Sequence, residues 1–188
     1  MIKKKILSAK KMMNVGESRS FDFQKLFLDA MTIVLGDYVS VKIRILSEAD
    51  LQSHLFYEGR RLIEERSFPT PIKLYAEKGV FSKHSKVDLV LGDDEVIVEL
   101  KVEPDYPGVS KPVVFSTKTE TAGSGSVEGD LEKIEEYAKR GKHAHFLMID
   151  EDGRHAKKIP GEWKTVHVKG KTSYYLHKYV SPEKYVTN

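Results

Sequence analysis

The chain contains no cysteine among its 188 residues. Disulfide bonds and cysteine-ligated zinc sites are therefore excluded, and a reducing, cytoplasmic location is expected. The sequence also has no apolar run of the length that a signal peptide or a membrane span needs, so no membrane partner is expected. Glutamine and asparagine are scarce, at two residues each, amid many lysines and glutamates. This bias is typical of proteins from hot environments and suggests a thermophilic prokaryote.

The overall composition is that of a globular protein. Hydrophobic residues make up 40% of the chain and charged residues 31%, with a formal net charge of +3 at pH 7. A chain of this length can bury one sizeable core. We therefore predict a single domain over residues 1–188 that opens with a basic N-terminal arm over residues 1–20. The mild positive charge is compatible with a polyanionic partner without identifying one.

Hydrophobic periodicity predicts an α/β fold. Apolar residues at helical spacing indicate a helix over residues 21–35 that ends at Gly36, and alternation of apolar and polar residues indicates a strand over residues 39–46. A capping signal at residues 47–50 begins a second helix that extends to residue 66. The later predicted elements are strands at 72–80, 87–91 and 96–102, a helix at 130–140, and strands at 143–149, 166–168 and 174–180.

Two carboxylates and a lysine are predicted to meet on one hairpin. A turn at residues 92–95 sets a register that pairs Asp88 with Glu99. Because side chains alternate along a strand, Lys101 lies on the same face as Glu99. Two carboxylates directly opposite each other repel, and a divalent cation such as Mg²⁺ or Mn²⁺ between them reverses that penalty. A neighbouring ammonium group then suits hydrolysis of a phosphodiester.

The pattern of Asp88 followed after ten residues by Glu99-Leu100-Lys101 resembles the PD-(D/E)xK nuclease superfamily. Val87 stands where proline is common, at a position that the superfamily keeps loosely. The resemblance covers roughly residues 47–150 as an order of elements. It implies a restriction-endonuclease-like fold, in which a mixed β-sheet is flanked by helices on both faces, and often a homodimer.

The same resemblance implies roles for the motif residues. Asp88 and Glu99 would bind the metal together with the backbone carbonyl of Leu100. Lys101 would position or deprotonate the attacking water and stabilise charge at phosphorus.

A further acid is expected from the helix before the hairpin. Glu58 lies in the middle of the apolar stripe of that helix, where an unpaired carboxylate is costly. We therefore predict Glu58 as a catalytic residue and metal ligand, with a buried ion pair to a lysine or arginine as the alternative. Glu48 and Asp50, in the first turn, are interpreted as capping and helix-dipole residues. Glu77, on the preceding strand, is a weaker candidate than Glu58.

Residues 104–129 are predicted to form an irregular loop near the site, because they are rich in Pro, Gly and Ser and begin where the Glu-x-Lys strand ends. Lys111 and Lys118 in this loop are candidates for contacts to nucleic-acid phosphates. The alternative is an ordinary solvated loop.

These observations predict a metal-dependent nuclease, with endonucleolytic cleavage of DNA as the favoured activity. Two other classes stay open. The chain is alternatively a nuclease-fold module that binds nucleic acid or a partner protein without cutting, because fold alone does not settle function. It is otherwise a small-ligand binder in which Glu58 and Lys101 form a structural ion pair.

Overall fold

The computed structural model describes residues 22–66, 72–80, 86–105 and 126–185. Over these residues the protein has three α-helices and a six-stranded mixed open sheet. None of the helices in this part of the chain is long and apolar enough to cross a membrane. The elements in chain order are α1 (Phe23–Val39), α2 (Glu48–Glu65), β1 (Leu74–Gly79), β2 (Lys86–Leu91), β3 (Val96–Glu103), α3 (Val127–Lys139), β4 (His143–Asp150), β5 (Lys164–Val168), β6 (Lys171–Val180) and a 3₁₀ turn (Pro182–Tyr185).

The strand order in the sheet is β1-β2-β3-β4-β6-β5. β3 and β4 run parallel, and every other neighbouring pair is antiparallel. All eight residues of β3 are buried. Val98 and Leu100 belong to an apolar cluster with α1 and α2, whereas Ile97 belongs to a second cluster with α3. Because side chains alternate along a strand, α1 and α2 cover one face of the sheet and α3 covers the other.

The first helix is longer than its sequence predicts. Asp22 caps α1 by accepting a hydrogen bond from the backbone N–H of Lys25 at 2.8 Å. The helix then continues through Gly36, the predicted stop, because Tyr38 beyond it is buried and donates a hydrogen bond to Glu151 Oε1 at 2.7 Å. Tertiary contacts thus offset the low helix propensity of glycine.

The predicted strand over residues 39–46 is wrong. These residues form the end of α1 and the connection to α2. Val41 has a φ of 60°, which a strand does not allow, and its side chain is exposed, whereas Ile45 is buried. The alternation of apolar residues in this segment therefore does not mark a strand. It includes one buried side chain, that of Ile45, which anchors the connection between α1 and α2.

The second helix begins as predicted, and Leu51, Leu55 and Leu62 of its apolar stripe are buried, but Glu58 is not. Ser47 accepts a hydrogen bond from the backbone N–H of Asp50, and Asp50 accepts one from the backbone N–H of Leu46. This reciprocal capping fixes the first turn of α2. Gly59 lets the helix approach β1 closely, because a Cβ atom there would lie 3.0 Å from Leu74 Cδ2.

The third helix begins earlier than predicted. α3 starts at Val127, with Ser126 as its cap, so residues 127–129 of the predicted loop 104–129 are helical. Asp130 is consequently in the first turn, one residue beyond Gly129. Residues 106–125, and with them Lys111 and Lys118, lie outside the described residues, as does the predicted arm at residues 1–20.

Candidate active site

Asp88 stands where strands β2 and β3 part. The paired residues of the two strands are Leu91 with Val96, Val90 with Ile97, and Leu89 with Val98. The predicted register is confirmed as far as these pairs, but the next pair, Asp88 with Glu99, is not part of the ladder.

Side chains replace the ladder at this point. Asp88 Oδ2 accepts a hydrogen bond from the backbone N–H of Leu100 at 2.7 Å. The backbone carbonyl of Asp88 accepts a hydrogen bond from Gln52 Nε2 of α2 at 2.6 Å. The N–H and C=O of one strand residue point to the same neighbouring strand. The carbonyl of Leu100 therefore lies on the Asp88 side of β3.

Glu99 is buried beneath α3. Its side chain is 3% exposed, and Oε1 accepts a hydrogen bond from the hydroxyl of Tyr137 at 3.2 Å. Nζ of Lys133 lies 3.7 Å from the same oxygen. The face of the sheet that carries Glu99 is thus polar at this point and apolar further along, around Ile97.

Lys101 lies at the centre of the same face. Its side chain is 7% exposed, and Nζ lies 2.8 Å from Asp130 Oδ2 and 3.2 Å from Glu48 Oε1. Nζ also donates a hydrogen bond to the backbone carbonyl of Leu100 at 3.1 Å. Three oxygen atoms from β3, α2 and α3 therefore surround one ammonium group.

The acid that α2 contributes to this cluster is Glu48, and Glu58 does not join it. Glu58 Oε2 lies 2.7 Å from Arg61 of the same helix, so it forms an ion pair with an arginine as the alternative expected, although the pair is partly exposed and not buried. Ten residues separate the two glutamates, or about 15 Å along the helix axis. Glu58 also does not pair with Lys101, so the ion pair proposed for a small-ligand binder does not form. Glu77 pairs with Lys86, and both side chains are exposed.

Asp130, Lys133 and Tyr137 were missed by the sequence analysis. They follow each other at spacings of three and four residues, so they share one face of α3. Asp130 is 1% exposed and forms ion pairs with both Lys101 and Lys133. The signal was present, because a carboxylate, an ammonium and a hydroxyl interrupt the apolar face of an amphipathic helix that follows the motif.

Burial and like charge perturb the carboxyl groups of the cluster. Burial, reinforced by Asp130, raises the pKa of Glu99 to about 8, although Lys133 opposes the shift. Burial also raises the pKa of Asp88, against the hydrogen bond from Leu100, and raises the pKa of Glu48, against Lys101. Ionised carboxylates are thus disfavoured here in the absence of further positive charge.

Lys101 is held as a cation. Burial by itself lowers the pKa of Lys101, but Asp130 and Glu48 outweigh it, and the net direction is upward. Burial by itself also lowers the pKa of Lys133, but the interaction with Asp130 outweighs it. The pKa of Lys133 is therefore raised. Neither lysine is poised to lose its proton near neutral pH in this arrangement.

The cluster has more carboxyl than ammonium groups, which suits a divalent cation, but the present arrangement of its side chains is less suited to one. Four carboxyl groups, those of Glu48, Asp88, Glu99 and Asp130, surround two ammonium groups. Within the described residues, however, no three His, Asp or Glu side chains converge in an arrangement for holding a metal ion. Mg²⁺ is commonly bound by only one or two carboxylates and several waters. Asp88 and Glu99, with the carbonyl of Leu100 beside them, meet that smaller requirement.

The chain matches no protein-family model, and no curated protein or solved structure matches it significantly. What the structure defines is an α/β protein with a partly buried acidic and basic cluster between β2, β3 and the first turns of α2 and α3.

Proposed function

We propose that this protein is a metal-dependent nuclease of the PD-(D/E)xK type that hydrolyses phosphodiester bonds, with DNA as the favoured substrate. The observation that carries the proposal is that Asp88, Glu99 and Lys101 lie at the opened end of one hairpin and interact electrostatically, in a partly buried cluster with more carboxylates than ammonium groups. A hairpin face made only for contact with water has no reason to bury these groups.

Asp88 and Glu99 would hold Mg²⁺ or Mn²⁺, helped by the carbonyl of Leu100. Glu48 takes the place that the sequence assigned to Glu58. Such an ion, when bound, lowers the pKa of a coordinated water and neutralises phosphate charge. The hydrogen bond from Leu100 fixes one oxygen of Asp88, which leaves the other oxygen for a ligand.

Lys101 serves as a fixed positive charge in this proposal. Its raised pKa argues against a role as the base, since a group that keeps its proton cannot accept another. An ammonium at this point stabilises the charge that develops on the phosphate oxygens. Asp130 orients Lys101 through the 2.8 Å ion pair and is a positioning residue.

A binding module without cleavage remains the second candidate. It is favoured by one observation, namely that lysine ammonium groups stand among the carboxylates and no three acidic or histidine side chains in the described ranges converge on a metal position. The restriction-endonuclease-like assignment, the homodimer and the cytoplasmic location stay predictions.

The proposal is tested by incubating the purified protein with single- and double-stranded DNA and RNA, in Mg²⁺, Mn²⁺, Ca²⁺ or EDTA. We expect cleavage products in Mg²⁺ or Mn²⁺ and none in EDTA. Binding of nucleic acid without cleavage under all conditions contradicts the nuclease and supports the binding module.

A further inference from the structure

A second site, a partly apolar pocket with charged residues in its lining, lies at the carboxyl ends of β3 and β4. A pocket of about 180 Å³ opens there, between the α1–α2 connection and the β5–β6 turn. Its walls include Arg44 from the connection, Asp105 and Glu151 just after the two strands, and Lys169 and Lys171 from the turn and β6. None of these residues belongs to the proposed active site.

The side chains that line the pocket include more cations than carboxylates. Lys171 Nζ pairs with Asp105 Oδ2 at 2.6 Å. Both oxygens of Glu151 are also occupied, Oε1 by the hydroxyl of Tyr38 at 2.7 Å and Oε2 by the backbone N–H of Asp105 at 2.9 Å. Three cations and two carboxylates therefore line the pocket, and both carboxylates already have partners.

Arg44 and Lys169 are the cations left for a ligand. Both side chains are exposed, and neither forms an ion pair with any residue that the structure describes. Two cations that line one small cavity, without an ion-pair partner among the described residues, are suited to an anion.

The turn that carries Lys169 is held in a costly conformation. Lys169 has a φ of 51° and Gly170 a φ of 78°, which are the left-handed values of a two-residue type I′ hairpin turn. Asn and Gly are the residues that favour the first of these positions, and lysine is not.

The size of the pocket limits the ligand. Drug-sized cofactors occupy pockets of roughly 300 to 1,000 Å³. A cavity of about 180 Å³ suits a smaller group, such as a phosphate with part of its sugar.

The pocket is close to the proposed active site along the chain. Asp105 follows Lys101 by four residues and lies two residues beyond the end of β3. Leu46, which also lines the pocket, precedes Glu48 by two residues.

We infer that this pocket binds the backbone phosphates of the nucleic-acid strand on one side of the scissile bond, through Arg44 and Lys169. The inference rests on the proposed function, since it takes its ligand from the same substrate. Phosphate contacts of this kind fix the register of the strand and carry no base preference.

The test compares the double variant Arg44→Gln/Lys169→Asn with the unchanged protein. Asparagine suits the left-handed position, so the turn is retained while its charge is removed. The matched control is Lys25→Gln/Arg60→Gln, which removes the same charge from two exposed positions. Lys25 lies thirteen residues before Tyr38 on α1, about 20 Å away, and Arg60 twelve residues after Glu48 on α2, about 18 Å away.

Binding of a fluorescent oligonucleotide is measured in Ca²⁺ over a range of salt concentrations, and cleavage in Mg²⁺ is measured separately. We expect the pocket variant to bind about tenfold more weakly or worse, with a salt dependence reduced by about two contacts. The control should change neither the affinity nor the salt slope by a comparable amount. Inorganic phosphate is titrated as a separate arm.

Each outcome has a distinct meaning. Equal oligonucleotide affinity and salt slope in the pocket variant and the unchanged protein overturn the inference, while cleavage by both proteins leaves the nuclease proposal standing. Loss of affinity in the pocket variant supports the inference even where no cleavage is seen. Phosphate binding without oligonucleotide binding assigns the pocket to a small free anion and overturns it. Absence of any oligonucleotide binding by the unchanged protein overturns both proposals.

Discussion

The carboxylate of Asp88 substitutes for a backbone carbonyl, because its Oδ2 accepts the N–H of Leu100 at 2.7 Å. Leu100 is the residue between Glu99 and Lys101. Asp88 on β2 is thereby hydrogen-bonded to the backbone of the Glu-x-Lys segment on β3. This one hydrogen bond accounts both for the end of the β2–β3 ladder and for the position of Asp88.

This hydrogen bond predicts different outcomes for two substitutions of Asp88. Asp88→Asn keeps an oxygen acceptor and removes charge from a crowded site, so the free energy of unfolding should change by less than about 1 kcal/mol. Asp88→Ala leaves the N–H of Leu100 without its acceptor and should lower that free energy by about 1–3 kcal/mol. Urea unfolding measures both. Equal stability of the two variants contradicts the structural role of the carboxylate.

Asp130 and Lys101 should be energetically coupled. Asp130→Asn removes the carboxylate nearest to a buried ammonium group, and we expect a loss of about 3 kcal/mol or more of unfolding free energy. In Lys101→Met the ammonium is absent, so adding Asp130→Asn should cost much less. A double-mutant cycle in urea gives the coupling directly. Additive effects would show that the ion pair contributes nothing; Glu132→Gln, on the exposed side of α3, is the control.

The raised pKa of Glu99 makes stability fall as pH rises. The carboxyl group loses its proton near 4.5 in the unfolded chain and near 8 in the folded protein. Between these values the folded state binds more protons, so the free energy of unfolding decreases with increasing pH, by on the order of a few kcal/mol. Burial raises the pKa of Asp88 too, which adds to the same trend.

Unfolding in EDTA between about pH 5 and about pH 9 measures this dependence. Glu99→Gln should flatten the curve and be more stable than the unchanged protein at the alkaline end. Because a bound cation requires the ionised form, Mg²⁺ should stabilise the unchanged protein more at high pH than at low pH. Parallel curves for the two proteins contradict the buried position of this charge.

Substitutions of Glu48 and Glu58, both on α2, should differ in their effect on activity. Glu48 contacts Lys101, whereas Glu58 contacts Arg61. Glu48→Gln should therefore reduce the cleavage rate by about tenfold or more, since it removes a charge that orients a group at the reaction centre. Glu58→Gln breaks a partly exposed ion pair and should cost less than about 1 kcal/mol of stability, with little effect on rate. The reverse order of effects would restore Glu58 to the site.

Local patterns in the sequence predict the hairpin and the second helix well. The register around residues 92–95 follows from a short turn between two apolar runs, and the capping of α2 follows from Ser47 and Asp50. Both depend on neighbours in the chain. The end of α1 does not depend on neighbours in the chain. It is set by the burial of Tyr38 against Glu151, which lies 113 residues away in the sequence.

The same distinction applies to the site. Asp88, Glu99 and Lys101 are neighbours on one hairpin, and their spacing is visible in the sequence. The choice between Glu48 and Glu58 depends on where the start of α2 lies relative to β3, which helical periodicity does not specify. Asp130 meets Lys101 only because α3 crosses the sheet at that point.

The most direct measurement of the central claim is the single-turnover cleavage rate in Mg²⁺ for the unchanged protein, Asp88→Asn, Glu99→Gln and Lys101→Met. Glu132→Gln and Lys157→Met, two exposed positions outside the cluster, are the controls. We predict that each of the three site variants loses about a hundredfold or more of the rate while remaining folded, and that both controls keep it. Cleavage that persists at the full rate in all three site variants contradicts the account.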